Sequence, residues 1–278
     1  MEANTTQKKI LVPWGLTMMS ETAFEFAVNI SKGCDCGITI GKVVKSENLI
    51  SEALQDLEEV SLSLEKKYSV KPNVVVDTGN ILKKFSEIAV EHNCSLIIKH
   101  TSLVTGMDKI LGGKTIKIVA GSQVPYIIVQ NSPKNPTIQK IVLPIDYTKE
   151  SKEKMNWFSF LNRNFKLHPF VYLISPQTTD DRKMRFIKNN LLFAKNILDD
   201  KGILFEHHTI ESKVDFADGF VEFANKVSAD IIIIMLPKDF GFSNVLFGSK
   251  EQDIIVNKHE IPVMCINPRD DLTLTGWK

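Results

Sequence analysis

Gly113, Lys114 and Thr115 make the triplet that ends a phosphate-binding P-loop, where glycine lets backbone N–H groups approach an anion and lysine adds a point charge. The full loop needs a further glycine five residues before Gly113, and that position is Asp108. What remains is a small-anion cradle, backbone amides beside Lys114 at a helix start. Cys34 and Cys36 form a Cys-x-Cys pair flanked by Gly33 and Gly37. A closed zinc site wants four ligands and none follows nearby, so the pair reads as ordinary reduced thiols and no metal is expected. His207 and His208 are neighbours in a strand, so they point to opposite faces, cannot share one metal, and leave one ring toward solvent. No Gly-x-Ser-x-Gly elbow is present, which removes the usual signal for acyl transfer.

These residues sit in a chain of 278 residues, 43% hydrophobic, 24% charged and formally +1. That is enough apolar material for two cores. The 34 basic residues are spread among 33 acids, without the basic stripe of a nucleic-acid binder. The longest apolar run, Ile231 to Leu236, is far shorter than the ~18 residues that cross a bilayer. Met1 to Gln7 is polar, unlike a secretory leader, so a cytoplasmic protein is expected.

Short β-branched runs alternate with longer segments of helical period, the signature of parallel strands joined by crossover helices. Strands are expected at Lys9 to Val12, Ile38 to Val44, Val74 to Asp77, Leu96 to Lys99 and Tyr126 to Val129. Helices are expected between them at Ser20 to Ser31, Asn48 to Tyr68, Ile81 to His92 and Thr115 to Ser122. The plan then repeats. Strands fall at Lys140 to Leu143, His168 to Ile174, Leu204 to Ile210, Ile231 to Met235 and Val263 to Ile266, with helices at Ser151 to Leu161, Asp181 to Asp200, Phe216 to Val227 and Glu251 to Lys258. Asp180 and Asp181 read as the acidic start of the long helix.

The repetition is visible in the residues. Lys9-Ile10-Leu11-Val12-Pro13 returns as Lys140-Ile141-Val142-Leu143-Pro144, and Val124-Pro125-Tyr126-Ile127-Ile128-Val129 answers to Ile261-Pro262-Val263-Met264-Cys265-Ile266. The offset drifts from about 131 to about 137 residues, so one unit has been duplicated with small insertions. Domains are therefore expected at 1–132 and 137–269, joined by a polar, proline-bearing connector and followed by a tail at 270–278. The last strand of each repeat follows a proline, as suits a sheet edge, and pairing the repeats through those strands would protect both edges.

Through these motifs the chain resembles the universal stress protein family in its tandem form, over Lys8 to Asn267. The resemblance rests on the two opening strands ending in proline, on Ala229-Asp230-Ile231-Ile232-Ile233-Ile234, and on Ile261-Pro262-Val263. It implies an α/β fold of two repeated domains, each a five-stranded parallel sheet between helices in flavodoxin-like layers. It also implies an intramolecular pseudo-dimer, and leaves a further homodimer open. In such open sheets ligands bind beyond the carboxyl ends of the strands, where the winding reverses. That points to Trp14 to Thr17 with His100 to Gly113, and to Asp146 to Thr148 with Met235 to Ser249.

Members of the family that bind ATP carry Gly-x2-Gly-x9-Gly-(Ser/Thr) after the fourth strand. Counting back from Gly248 and Ser249 places Lys238 and Met235 at the earlier glycine positions. In the first repeat, whether Gly112 or Gly113 is the late glycine, the earlier positions also hold other residues. The carboxylate that the resemblance places by the nucleoside is Gly15 in the first repeat and Asp146 in the second. Bulky residues at glycine positions fill the triphosphate volume, although Lys238 could offer a point charge. The expectation is a non-catalytic stress protein with degenerate nucleotide loops, working through a small ligand or protein partners. The alternative is an ATP sensor or slow ATPase that uses the second repeat with magnesium.

Overall fold

The computed structural model describes residues 8–15, 19–34, 36–101, 117–236 and 249–268. The first half runs β1 (Lys9–Pro13), α1 (Ser20–Gly33), β2 (Gly37–Val44), α2 (Ile50–Tyr68), β3 (Asn73–Thr78), α3 (Ile81–Glu91), β4 (Cys94–His100) and β5 (Tyr126–Val129), with residues 117–120 helical before β5. The second half runs β6 (Lys140–Pro144), α4 (Glu150–Phe165), β7 (Phe170–Pro176), α5 (Asp181–Asp200), β8 (Phe205–Ile210), α6 (Phe216–Lys226), β9 (Ile231–Met235), α7 (Ser249–Ile255) and β10 (Val263–Ile266). The elements stand where the periodicity places them, with one correction of substance. Helix α4 continues past Leu161 because Phe165 extends the stripe begun by Phe158 and Leu161 and is itself buried. It stops at Lys166, whose left-handed φ of 49° closes the last turn.

All ten strands form one sheet in the order β3-β2-β1-β4-β5-β10-β9-β6-β7-β8. Pairing is parallel throughout each half, whereas β5 and β10 run antiparallel, with Tyr126 opposite Cys265 and Ile128 opposite Val263. The expected pairing of the two last strands is what joins the halves. Both strands lie in the middle of the sheet with every side chain buried, which removes two edges that would otherwise be open.

The antiparallel junction places equivalent helices of both halves on the same face. Helices α1, α2, α4 and α5 bury Phe24, Leu57, Phe158 and Leu191 in one layer against Ile10, Ile98, Leu143 and Ile233. Helices α3, α6 and α7 bury Phe85, Phe220 and Ile255 in the other layer, against Leu11, Ile97, Val142 and Ile232. Alternate residues of each strand serve opposite layers, as the two-residue period requires.

The turn between α1 and β2 departs from expectation. Cys34 and Cys36 are joined as a disulfide rather than standing as two thiols. Their Cα atoms lie 5.2 Å apart, because the chain doubles back between the helix end and the strand.

Candidate functional site

Each half folds its first strand into its first helix with the same device. The N–H of Gly15 donates to Ser20 Oγ at 3.2 Å, and the N–H of Asp146 donates to Ser151 Oγ at 3.0 Å. A serine five residues downstream thus turns the chain from the carboxyl end of β1 or β6 into a helix. Gly15 takes φ of 78°, a left-handed value that glycine adopts freely, and carries no group into the recess.

Asp146 does carry one. Its Oδ1 accepts from Thr148 N–H at 2.8 Å, from Thr148 Oγ1 at 2.5 Å and from Ser151 Oγ at 2.8 Å. Asn190 reaches over from α5 and donates to the carbonyls of Asp146 at 2.8 Å and Thr148 at 2.7 Å. The carboxylate therefore organises the turn and the start of α4. Its Oδ2 accepts no hydrogen bond among the described residues.

Lys154 completes this cluster. It belongs to the apolar face of α4, is 6% exposed, and its Nζ donates to Pro144 O at the end of β6. Burial pushes its amine down to about 8, against a smaller opposing pull from Asp146. Ala23, three residues after Ser20 as Lys154 is three after Ser151, fills the same place in the first half. At the end of β7, Ser175 Oγ meets His207 Nε2 at 2.9 Å, and burial holds the pKa of His207 below its usual value. His208 turns to the opposite face, packs on Tyr172 and Phe223, and keeps 41% of its side chain exposed beside Glu206, so it is the ring that faces solvent.

In the first half the end of β4 is also filled. Lys99 and His100 are 5% and 2% exposed. Lys99 Nζ donates to His100 O at 2.9 Å, and desolvation lowers its amine to about 8. His100 Nε2 lies 3.2 Å from Gln130 O, and burial lowers its pKa as well.

Of the residues singled out from sequence, Gly15, Asp146 and Met235 are placed at carboxyl ends of strands, Met235 as the half-buried last residue of β9. Ser249 opens α7. Gly112, Gly113, Lys114, Lys238, Gly248 and the side chain of Ser249 lie outside the described residues. The sequence reading missed Lys154, Asn190 and Lys99. Lys154 and Asn190 did carry a signal: each interrupts an apolar stripe, Lys154 with Phe158 and Leu161, Asn190 with Ile187 and Leu191.

A separate cavity of about 250 Å³ lies behind the connector, between Phe26 and Ile30 of α1 and the residues that precede β6, β9 and β10. It is at the opposite end of β6 from Asp146. Lys134 is its one basic wall residue among those described, and Asp230 and Glu260 share the lining, which suits no triphosphate. Among the described residues no three His, Cys, Asp or Glu side chains group to hold a metal, and no helix is long and apolar enough to cross a membrane.

No family model matches the sequence, and a search of curated proteins also returns no match. Solved structures do match. A universal stress protein from Archaeoglobus fulgidus is 17% identical with a TM-score of 0.70, covering 95% of this chain and 97% of its own. A functionally unknown protein from Pseudomonas aeruginosa is 18% identical with a TM-score of 0.60, covering 97% of this chain and 95% of its own. Matches of that length and low identity speak for the backbone, and together with the mirrored strand orders they show that the chain has the fold of the universal stress proteins, built twice in one polypeptide.

Proposed function

We propose that this is a tandem universal stress protein, with domains at 1–132 and 137–269, which works without catalysis through a small ligand or protein partners in the stress response of the cytoplasm. The observation that carries this reading is the Lys154 amine on Pro144 O, directly behind Asp146. A nucleoside entering at the end of β6 would meet a buried lysine where the first half has alanine, and a carboxylate already holding three donors. Met235 and Lys238 at the glycine positions of an ATP loop support the same conclusion from sequence. Native mass spectrometry of fresh protein, before and after ATP with magnesium, tests it. No retained and no added nucleotide is the expected result; one magnesium-dependent ATP per chain overturns the reading.

A second reading, an ATP sensor or slow ATPase on the second half, is favoured by one observation. Asp146 Oδ2 accepts no hydrogen bond among the described residues, which leaves it for a ribose hydroxyl. In that reading Ser249 at the start of α7 meets phosphate, and Ser249→Glu abolishes nucleotide binding by repulsion. Unchanged affinity in that variant removes the assignment.

A further inference from the structure

We propose that Cys34 and Cys36 form a reversible dithiol–disulfide site that exchanges with a low-molecular-weight thiol–disulfide couple of the glutathione class, entered through Cys36. The pair is not a staple. A cross-link stabilises more the longer the loop it closes, growing with the logarithm of its length, and this one closes a loop with a single residue between its ends. The turn is also held without it, by Cys34 N–H to Ser31 O at 3.2 Å and Gly37 N–H to Lys8 O at 3.0 Å. A bond that adds so little to the fold, in a chain read as cytoplasmic, fits the transient and redox-active use of disulfides there.

The geometry makes the two sulfurs unequal. Cys34 is buried and 7% exposed, packed in the core layer with α1, whereas Cys36 is half-buried at the surface of that layer. An incoming thiolate therefore attacks Cys36 Sγ. The Cys36–Cys34 bond breaks, a mixed disulfide forms at Cys36, and Cys34 leaves as a thiolate that takes a proton. A second small thiolate attacks the small-molecule sulfur of that mixed disulfide, releasing the oxidised small disulfide and the Cys36 thiol. Two small thiols are oxidised as one protein disulfide is reduced, and the reverse sequence restores it. Cys94 and Cys265 are excluded from this chemistry. Both are deeply buried, and burial pushes the Cys94 thiol up to about 11 and the Cys265 thiol higher still.

The site also lies where the halves touch. Cys36 Sγ is 3.9 Å from Asn164 O of α4, and a Cβ on Gly33 would stand 3.3 Å from Phe165 O. Any exchange at these sulfurs therefore takes place beside the end of α4.

Full-length protein equilibrated in glutathione buffers of graded ratio, quenched with acid and weighed intact, tests the proposal. Wild type should lose and regain two hydrogens reversibly, without an accumulating glutathione adduct. Cys34→Ser should trap one glutathione on Cys36, and Cys36→Ser should trap none. The proposal is overturned if wild type keeps both thiols in the most oxidising buffer or keeps the disulfide in the most reducing one. It is overturned equally if Cys36→Ser takes up glutathione as readily as Cys34→Ser. The wild-type titration decides the matter even where a serine variant folds poorly.

Discussion

Gln130 and Asn267 perform the same task in opposite directions across the β5–β10 junction. Each is the residue just after the last strand of its half, and each sends its amide into the turn that precedes the last strand of the other half. Gln130 Nε2 donates to Asn257 O at 3.3 Å, and Asn267 Nδ2 donates to Val119 O at 2.6 Å and Ser122 O at 2.9 Å. The halves are therefore tied by side chains as well as by the antiparallel ladder. Asn267→Leu removes the amide donor from Ser122 O and leaves Val119 O with the Ser122 N–H alone, and should lower the unfolding free energy by about 1–3 kcal/mol in urea titrations. An unchanged midpoint would mean that solvent already satisfies those carbonyls.

Gly219 marks a close approach at which any added Cβ forces its neighbour to shift. It lies in the first turns of α6, and a Cβ there would stand 2.4 Å from Ile210 Cγ2 of β8. Alanine is the better helix former by about 1 kcal/mol, so propensity alone favours Gly219→Ala. Overpacking against a β-branched side chain costs about 1–3 kcal/mol and wins. Thermal unfolding should show the single variant below wild type and show partial recovery when Ile210→Ala is added, since that change removes the clashing methyl.

Asp230 fastens the connector to the second half. Its Oδ2 accepts from Gln139 N–H and Lys140 N–H, both at 2.8 Å, and its Oδ1 accepts from Asn135 Nδ2 at 2.5 Å. Asp230→Ala leaves two backbone donors at the start of β6 to solvent and releases Asn135. We expect a loss of about 1–3 kcal/mol and faster proteolytic cutting within residues 131–138. Cutting at the wild-type rate would show that the prolines alone hold the connector.

The fold was legible because strand and helix periods in this chain seldom conflict, and because the repeat supplied each half with a second reading. Ile231 to Met235 and Asp181 to Asp200 come out with the limits read from sequence. The end of α4 was missed because Asn162, Arg163 and Asn164 look like a loop, while Phe165 pays back that polarity by burying in the core. The site was harder. Its negative side, lost glycines, could be counted from residues alone. Its positive side could not, because Lys154 reaches the recess from a helix and Asn190 from another, and only their places on apolar stripes hinted that they turn inward. The disulfide was missed for a different reason: spacing shows that two cysteines are near, not that a doubled-back turn brings their sulfurs together.

Lys154 allows the filled recess to be tested through stability alone. In an unfolded chain the amine titrates near 10.5, while in the fold burial lowers it to about 8. Between those values the unfolded state binds more protons, so the contribution of Lys154 to stability rises with pH through that window and is least favourable below it. The shift corresponds to at most about 3 kcal/mol at neutral pH, and Lys154→Met also forfeits a hydrogen bond to Pro144 O worth about 1 kcal/mol. The variant should therefore unfold at higher urea than wild type at pH 7, by about 1–2 kcal/mol. The gap should close as pH rises and reverse near pH 10.5, where the folded-state amine is neutral and the unfolded-state amine is only half protonated. Lys99, Cys94 and Tyr126 titrate in both proteins and cancel in the difference. A gap that stays constant from pH 7 to 10.5 would mean that water reaches the amine, and the recess at the end of β6 would then be open to a ligand.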